Sequence, residues 1–296
     1  MAAGAIMSDN MRGAAYMMVA MAAFALGDAC VKALTQVLPI YQAITLRGLL
    51  TVPALLMIAY FSGGLRLMAL QGAWRLVALR SAAEVVTTLC FFVALLHMPL
   101  AVVTAILQFL PLAITLAAAA FLKEPVGWRR LSAIAAGFGG VMLIIRPGTD
   151  SFSIWALFAL MAVAAVVVRD LSSRRLPAAV SSGTVALCGA VAVTLVAAAL
   201  SLRSDWQPVG RNTAALIAAA AAMIIVGYIF AVRAMRVGEV GFTTPFRYSG
   251  LIWATMLGWI FFAEFPDSLS ILGGLIVVGS GLFTLAREQR LRRQTV

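Results

Sequence analysis

The sequence predicts an all-α polytopic membrane fold: ten transmembrane helices arranged as two inverted five-helix repeats. Three observations predict it. Of 296 residues, 63% are hydrophobic and only 11% are charged, with a mean hydropathy of +1.03, more apolar side chain than a water-soluble core of this size uses. The apolar residues fall into ten runs, each near the roughly 20 residues that cross a bilayer as a helix. The end of the second half also restates the end of the first when the sequence is shifted by 140 places.

In order, the runs are approximately 12–35, 40–60, 73–96, 99–122, 128–146, 152–172, 179–202, 212–235, 240–264 and 268–286. Each gap holds a helix breaker. Pro39, Ser62-Gly63-Gly64, Pro99, Glu124-Pro125 and Pro147-Gly148 divide the first six runs. Pro177, the stretch Asp205 to Gly210, Gly238 to Gly241 and Pro266-Asp267 divide the rest. The connections are short, which leaves no room for a soluble domain. The expected organisation is a tail at 1–11, a first repeat at 12–146, a second at 152–287 and a basic tail at 288–296. The first run is too long for the apolar part of a signal peptide and carries Asp28 where a cleavage motif would stand, so it is expected to be retained.

The net charge of +11 does not signal nucleic acid, because the basic residues are scattered between apolar runs and form no stripe interleaved with aromatics. Their distribution reads as topology. With the N-terminus inside, one side holds Arg12, Arg66, Arg75, Arg80, Lys123, Arg129, Arg130, Arg169, Arg174, Arg175, Arg233, Arg236, Arg287, Arg290, Arg292 and Arg293. The other holds Lys32, Arg146, Arg203 and Arg211. Both termini are therefore expected in the cytoplasm, with the chain in the inner (plasma) membrane. Trp74, Trp128, Trp155 and Trp206 near run ends suit interfacial anchoring. Cys30, Cys90 and Cys188 each sit inside an apolar run, which argues against a secreted disulfide scaffold.

The repeat is clearest in its polar pairs. A shift of 140 places Thr104 on Thr244, Glu124 on Glu264 and Gly139 on Gly279. A shift of 142 places Asp28-x-x-x-Lys32 on Asp170-x-x-x-Arg174. Five helices per half is an odd number, so the second copy enters the membrane from the opposite face. Such inverted repeats build transporters with a solute site near the midplane.

The residues Phe91-x-x-Ala94-Leu95-x-x-x-Pro99-Leu100-Ala101, then Leu110-Pro111, then Phe121-Leu122-Lys123-Glu124 resemble the signature of EamA-type proteins in the drug/metabolite transporter superfamily. It recurs as Tyr228-x-x-Ala231-x-x-Ala234-Met235, Pro245-Phe246-Arg247-Tyr248 and Phe261-Phe262-Ala263-Glu264. The resemblance covers about 13–287 and implies transport of small metabolites, often outward; amino-acid exporters of the YddG kind share this length and layout. Where the first half has Leu110-Pro111 the second has Gly250-Leu251, so the ninth helix is expected to bend at Pro245.

Ionisable groups within the hydrocarbon need a partner, a wet cavity or a task. Asp28 lies about 9 Å below the outer end of its helix and Arg47 about 10 Å below the outer start of the next, so the two are read either as an ion pair or as the lining of an outer cavity. Glu84 follows Arg80 by one turn, suggesting an inner-face pair, or otherwise a proton-titrating group. Arg169 and Asp170 stand near enough to the inner end of the sixth helix to be read as solvated. Gln108 and Tyr248, one shift of 140 apart and each about 13 Å deep, are uncharged donors and acceptors suited to a polar or zwitterionic solute, or to an interhelical hydrogen bond. Arg247 is about 10 Å inside the inner face and is read either as bridged to Glu84 or as the partner of a substrate carboxylate. Glu124 and Glu264 are read as structural caps, accepting from the helices that follow them. The substrate-binding candidates are thus Gln108, Tyr248, Arg247, Glu84, Asp28 and Arg47.

No catalytic residue, metal site or cofactor is expected: the lone His97 has no ligating companion, and no nucleophile and base lie together at depth. A membrane-embedded enzyme is therefore disfavoured. The expected partners are a small-molecule solute and the lipid bilayer, with homo-oligomerisation left open. The expected activity is secondary export of amino acids or related metabolites, with a nucleoside, vitamin or cationic drug as the alternative cargo.

Overall fold

The computed structural model describes residues 2–61, 72–123, 127–149, 152–177, 179–237 and 239–294. Its helices are α1 (Ala2–Leu34), α2 (Ile40–Phe61), α3 (Trp74–His97), α4 (Leu100–Leu107), α5 (Leu110–Leu122), α6 (Trp128–Ile145) and α7 (Trp155–Arg174). They continue with α8 (Ser182–Ser201), α9 (Arg211–Val237), α10 (Val240–Thr243), α11 (Ser249–Phe262) and α12 (Ser268–Gln294). Every expected run is helical. Two of them are interrupted. The fourth is divided into α4 and α5 around Gln108 and Phe109, just ahead of Pro111, which lacks the amide hydrogen that a continuous helix needs there. The ninth is divided by one turn of 3₁₀ helix, Thr244–Tyr248, whose first positions carry Pro245, as the sequence led us to expect. Among the described residues, nine helical stretches are long and apolar enough to span a bilayer. The broken ninth run is the one not counted, because α11 alone has only 14 residues. At its N-terminus α1 extends well beyond the expected start, and α12 likewise outruns its expected end. The chain is an integral membrane protein.

The residues fall into two compact units. One comprises 1–29, 98–156 and 226–296; the other comprises 30–97 and 157–225. Each draws on both halves of the sequence. In the first unit α4 packs on α11 and α6 on α12; in the second α2 packs on α8, with α3 also against α8. These are repeat mates: second with seventh run, fourth with ninth, fifth with tenth.

Named contacts give each pair's direction. Arg146, following α6, bonds Asp267, preceding α12. Leu100, opening α4, donates its N–H to Glu264 beyond α11 at 3.2 Å. Gln42 near the start of α2 meets Gln207 after α8, its amide donating to the Gln207 carbonyl at 2.8 Å and accepting from the Gln207 N–H at 3.0 Å. All three pairs run antiparallel, as inverted copies must.

Close approach explains several glycines. A β-carbon on Gly140 would sit 2.7 Å from the Gly273 carbonyl oxygen, and one on Gly273 would likewise meet the Gly140 carbonyl, so only glycine lets α6 and α12 touch backbone to backbone. Gly48 on α2 similarly accommodates the Thr194 side chain of α8.

The expected role of Glu264 needs correction. It accepts from the first amide of α4. The N-terminus of α12 is already served by Asp267, whose carboxylate accepts from Ser270, and the left-handed turn at Ala263 carries Glu264 toward α4. Glu124 lies outside the described residues.

Candidate functional site

In the first unit the polar groups gather where its two broken helices meet. Gln108 caps α4, its N–H bonded to the carbonyls of Thr104 at 3.0 Å and Ala105 at 3.2 Å. Its half-buried carboxamide lies against the first turn of α11, where a β-carbon on Gly250 would stand 3.6 Å from Nε2 and 3.7 Å from the Met21 sulfur. Tyr248 ends the 3₁₀ turn two residues earlier. Only 7% of it is exposed, and among the described residues its hydroxyl has no hydrogen-bond partner. The hydroxyl abuts Gly281 of α12, where any β-carbon would collide with it. Leaving a buried hydroxyl unpaired costs about 1–3 kcal/mol. The two residues singled out by repeat symmetry thus belong to the same unit, the Gln108 carboxamide against the first turn of α11 and the unsatisfied Tyr248 hydroxyl against α12.

Arg247, on the same 3₁₀ turn, is exposed. Asp28, on α1, is half-buried. A crevice of about 210 Å³ between α4, α11 and α12 is lined by Ala105, Leu251, Thr255, Phe265, Gly274 and Leu275. Its walls suit hydrocarbon, not a polar solute.

In the second unit two groups of charge stand apart from one another along α3. Arg47 of α2, 9% exposed, holds its guanidinium 5.0 Å from the centre of the Phe92 ring, a cation–π arrangement that offsets part of the desolvation. Lower on α3, Glu84 lies 3.6 Å from Arg80 Nη1, the expected pair. It also faces Arg169 of α7, whose Nη1 lies 3.3 Å from Oε1 and 3.5 Å from Oε2. Arg169 and Asp170, read from sequence as solvated, are thus part of a network: Arg169 Nε donates to Asp170 Oδ1 at 2.9 Å. The contact of Arg169 with Glu84 was not foreseen, because α3–α7 packing is tertiary and leaves no mark in either helix. Thr87, one turn beyond Glu84, has a buried hydroxyl without a partner among the described residues. Thr104, Thr194 and Thr255, in contrast, each donate to the carbonyl four residues back. Gln42, fully buried, escaped sequence reading altogether, since one amide in an apolar run gives no hint of the loop it holds. His97 is exposed, with Nδ1 3.0 Å from the Val93 carbonyl.

Comparison with known proteins follows the same lines. Residues 11–146 match the EamA-like transporter family. The chain is 28% identical over 199 residues to the pseudopaline exporter CntI of Pseudomonas aeruginosa, covering 64% of this chain and 67% of that protein. It is 28% identical to the riboflavin transporter of Rhizobium johnstonii, over 62% of this chain and 61% of the relative. It is 22% identical to the S-adenosylmethionine uptake transporter of Rickettsia felis, over 65% of each. The last two matches span less than two thirds of those relatives. A solved crystal structure at 19% identity superimposes with a TM-score of 0.60 across 94% of this chain and 98% of that one, a likeness of fold.

Proposed function

From the match of residues 11–146 to the EamA-like transporter family, we propose that this membrane protein exports amino acids or related small metabolites by alternating access. In this reading it resides in the inner (plasma) membrane with both termini cytoplasmic, and the two repeats supply the moving parts. The observation that carries the proposal is the Tyr248 hydroxyl, buried without a hydrogen-bond partner among the described residues, in the unit that also presents the Gln108 carboxamide at the start of α11. A buried hydroxyl whose hydrogen bond is unmade is available to a solute that comes and goes. Neutral donors and acceptors bind a zwitterion without holding it too firmly for release. Gln108 and Tyr248 are assigned the polar contacts, and Arg247, Glu84, Asp28 and Arg47 the charges that meet ammonium and carboxylate along the route. No nucleotide-binding motif stands in the sequence, so a gradient drives the flux.

A second reading, uptake of a larger heterocyclic metabolite, draws on the relatives named for riboflavin and S-adenosylmethionine. One experiment separates the two. Purified protein in liposomes is loaded in turn with leucine, lysine, glutamate, riboflavin and S-adenosylmethionine. Counterflow of leucine at a rate at least tenfold above empty liposomes is expected. Flux of riboflavin or S-adenosylmethionine without any amino-acid flux would replace the first reading with the second.

A further inference from the structure

Glu84 is held differently from the groups around it. Both guanidiniums that face it are anchored elsewhere by better bonds. Arg80 donates from Nε to the Ser173 hydroxyl at 3.0 Å and from Nη1 to the Val185 carbonyl at 3.4 Å. That hydroxyl is itself oriented, donating to the Arg169 carbonyl at 2.8 Å. Arg169 is fixed by Asp170 at 2.9 Å. Toward Glu84 the same two arginines reach only 3.3 to 3.6 Å, longer than the roughly 2.7–2.9 Å of a well-made charge-assisted bond. The guanidiniums are therefore pre-organised without Glu84, and Glu84 is the loosest member of the cluster.

Glycine lets α8 pack close to the cluster without displacing it: a β-carbon on Gly189 would stand 3.2 Å from Arg80 Nη1 and 3.4 Å from the Glu84 side chain. The side chains of Arg80, Glu84 and Arg169 remain 13%, 16% and 23% exposed, so the cluster is not sealed off. Two fixed guanidiniums converging on one point make a carboxylate receptor.

We propose that Arg80 and Arg169 form a carboxylate-binding station, occupied in this conformation by Glu84 as an internal ligand that yields to the carboxylate of a transported solute. The proposal rests on the transporter reading but is tested without transport. No covalent bond is made or broken; the solute carboxylate takes over the ion pairs that Glu84 makes with the same two cations, and Glu84 leaves them still charged.

The probe is acetate, which has the size of the glutamate terminus, with acetamide as neutral control and chloride to match ionic strength. Thermal stability of the purified full-length chain is followed against acetate concentration. For E84Q, which vacates the station at constant volume, the concentration giving half-maximal stabilisation should fall at least tenfold below wild type, and acetamide should have no effect. In E84Q/R169Q the gain should vanish. Should E84Q fold poorly, E84D, which withdraws the carboxylate while keeping its charge, should show a gain of several-fold. An unchanged acetate response in the folded variants, or a gain that survives removal of Arg169, would overturn the station. Absence of leucine flux together with a clear acetate gain would reject the amino-acid cargo and leave the station standing.

Discussion

Lys123 and Ala263, one repeat apart, leave their helices through the same left-handed turn, with φ of 56° and 53°; the Lys123 N–H is donated five residues back to the Ala118 carbonyl, and the Ala263 N–H is shared between the carbonyls of Gly258 and Trp259. The two halves thus share a backbone device as well as a residue pattern. Neither residue is glycine, and a left-handed conformation costs an ordinary residue about 1–2 kcal/mol.

Ala263→Gly is therefore expected to stabilise the protein by about 1 kcal/mol, because glycine occupies this conformation without a steric penalty. Ala263 is exposed, so no packed methyl is lost. Thermal unfolding in detergent measures it. A fall in the melting temperature would mean that the turn is not strained.

The ten runs were legible because bilayer thickness sets their length, and the repeat was legible because Glu124, Glu264 and the Thr104–Thr244 pair are polar marks in an apolar background. Pro245 announced its own break. Invisible were the partners of each helix: nothing in α2 says that it packs on α8, so the Gln42 clamp on Gln207 could not be foreseen. The Arg80–Glu84 half of the inner cluster follows from one-turn spacing, whereas Arg169 enters from α7 through tertiary packing. The bond of Glu264 to the first amide of α4 could not be foreseen, since it depends on where the turn at Ala263 sends the chain.

Tyr248→Phe is expected to leave stability unchanged or raise it by up to about 1 kcal/mol, since it removes a buried hydroxyl with no partner among the described residues. Leucine counterflow should fall at least tenfold. Gly281→Ala provides the contrast: its methyl would collide with that hydroxyl, an overpacking that costs about 1–3 kcal/mol. If Tyr248→Phe transports normally, the hydroxyl does not meet the solute.

Single cysteines on a cysteine-free background test the orientation. In the proposed orientation the basic residues crowd the cytoplasmic side, so cysteines at Thr149 and Ser204 should react with an impermeant reagent applied to intact cells, and one at Gln289 should not. Labelling at Gln289 from outside would reverse the assigned topology.

Asp267 should make stability depend on pH. Its carboxyl is held below the ordinary aspartate range, first by the Ser270 hydroxyl and then by hydrogen bonding and attraction to Arg146, which together outweigh the effect of partial burial. A carboxyl that is more acidic in the folded chain than in the unfolded one adds stability above its unfolded value of about 3.9. That contribution fades as pH falls through the lower, folded value. Wild type should therefore be more stable than Asp267→Asn above about pH 5, and the difference should shrink as the pH drops below about 4. Half of the Asp267 side chain is exposed, at 51%, so high salt should reduce the Arg146 share and leave the Ser270 share. A difference between wild type and Asp267→Asn that does not vary from pH 6 to pH 3 would show that the carboxylate's charge contributes nothing to holding the start of α12 against the end of α6.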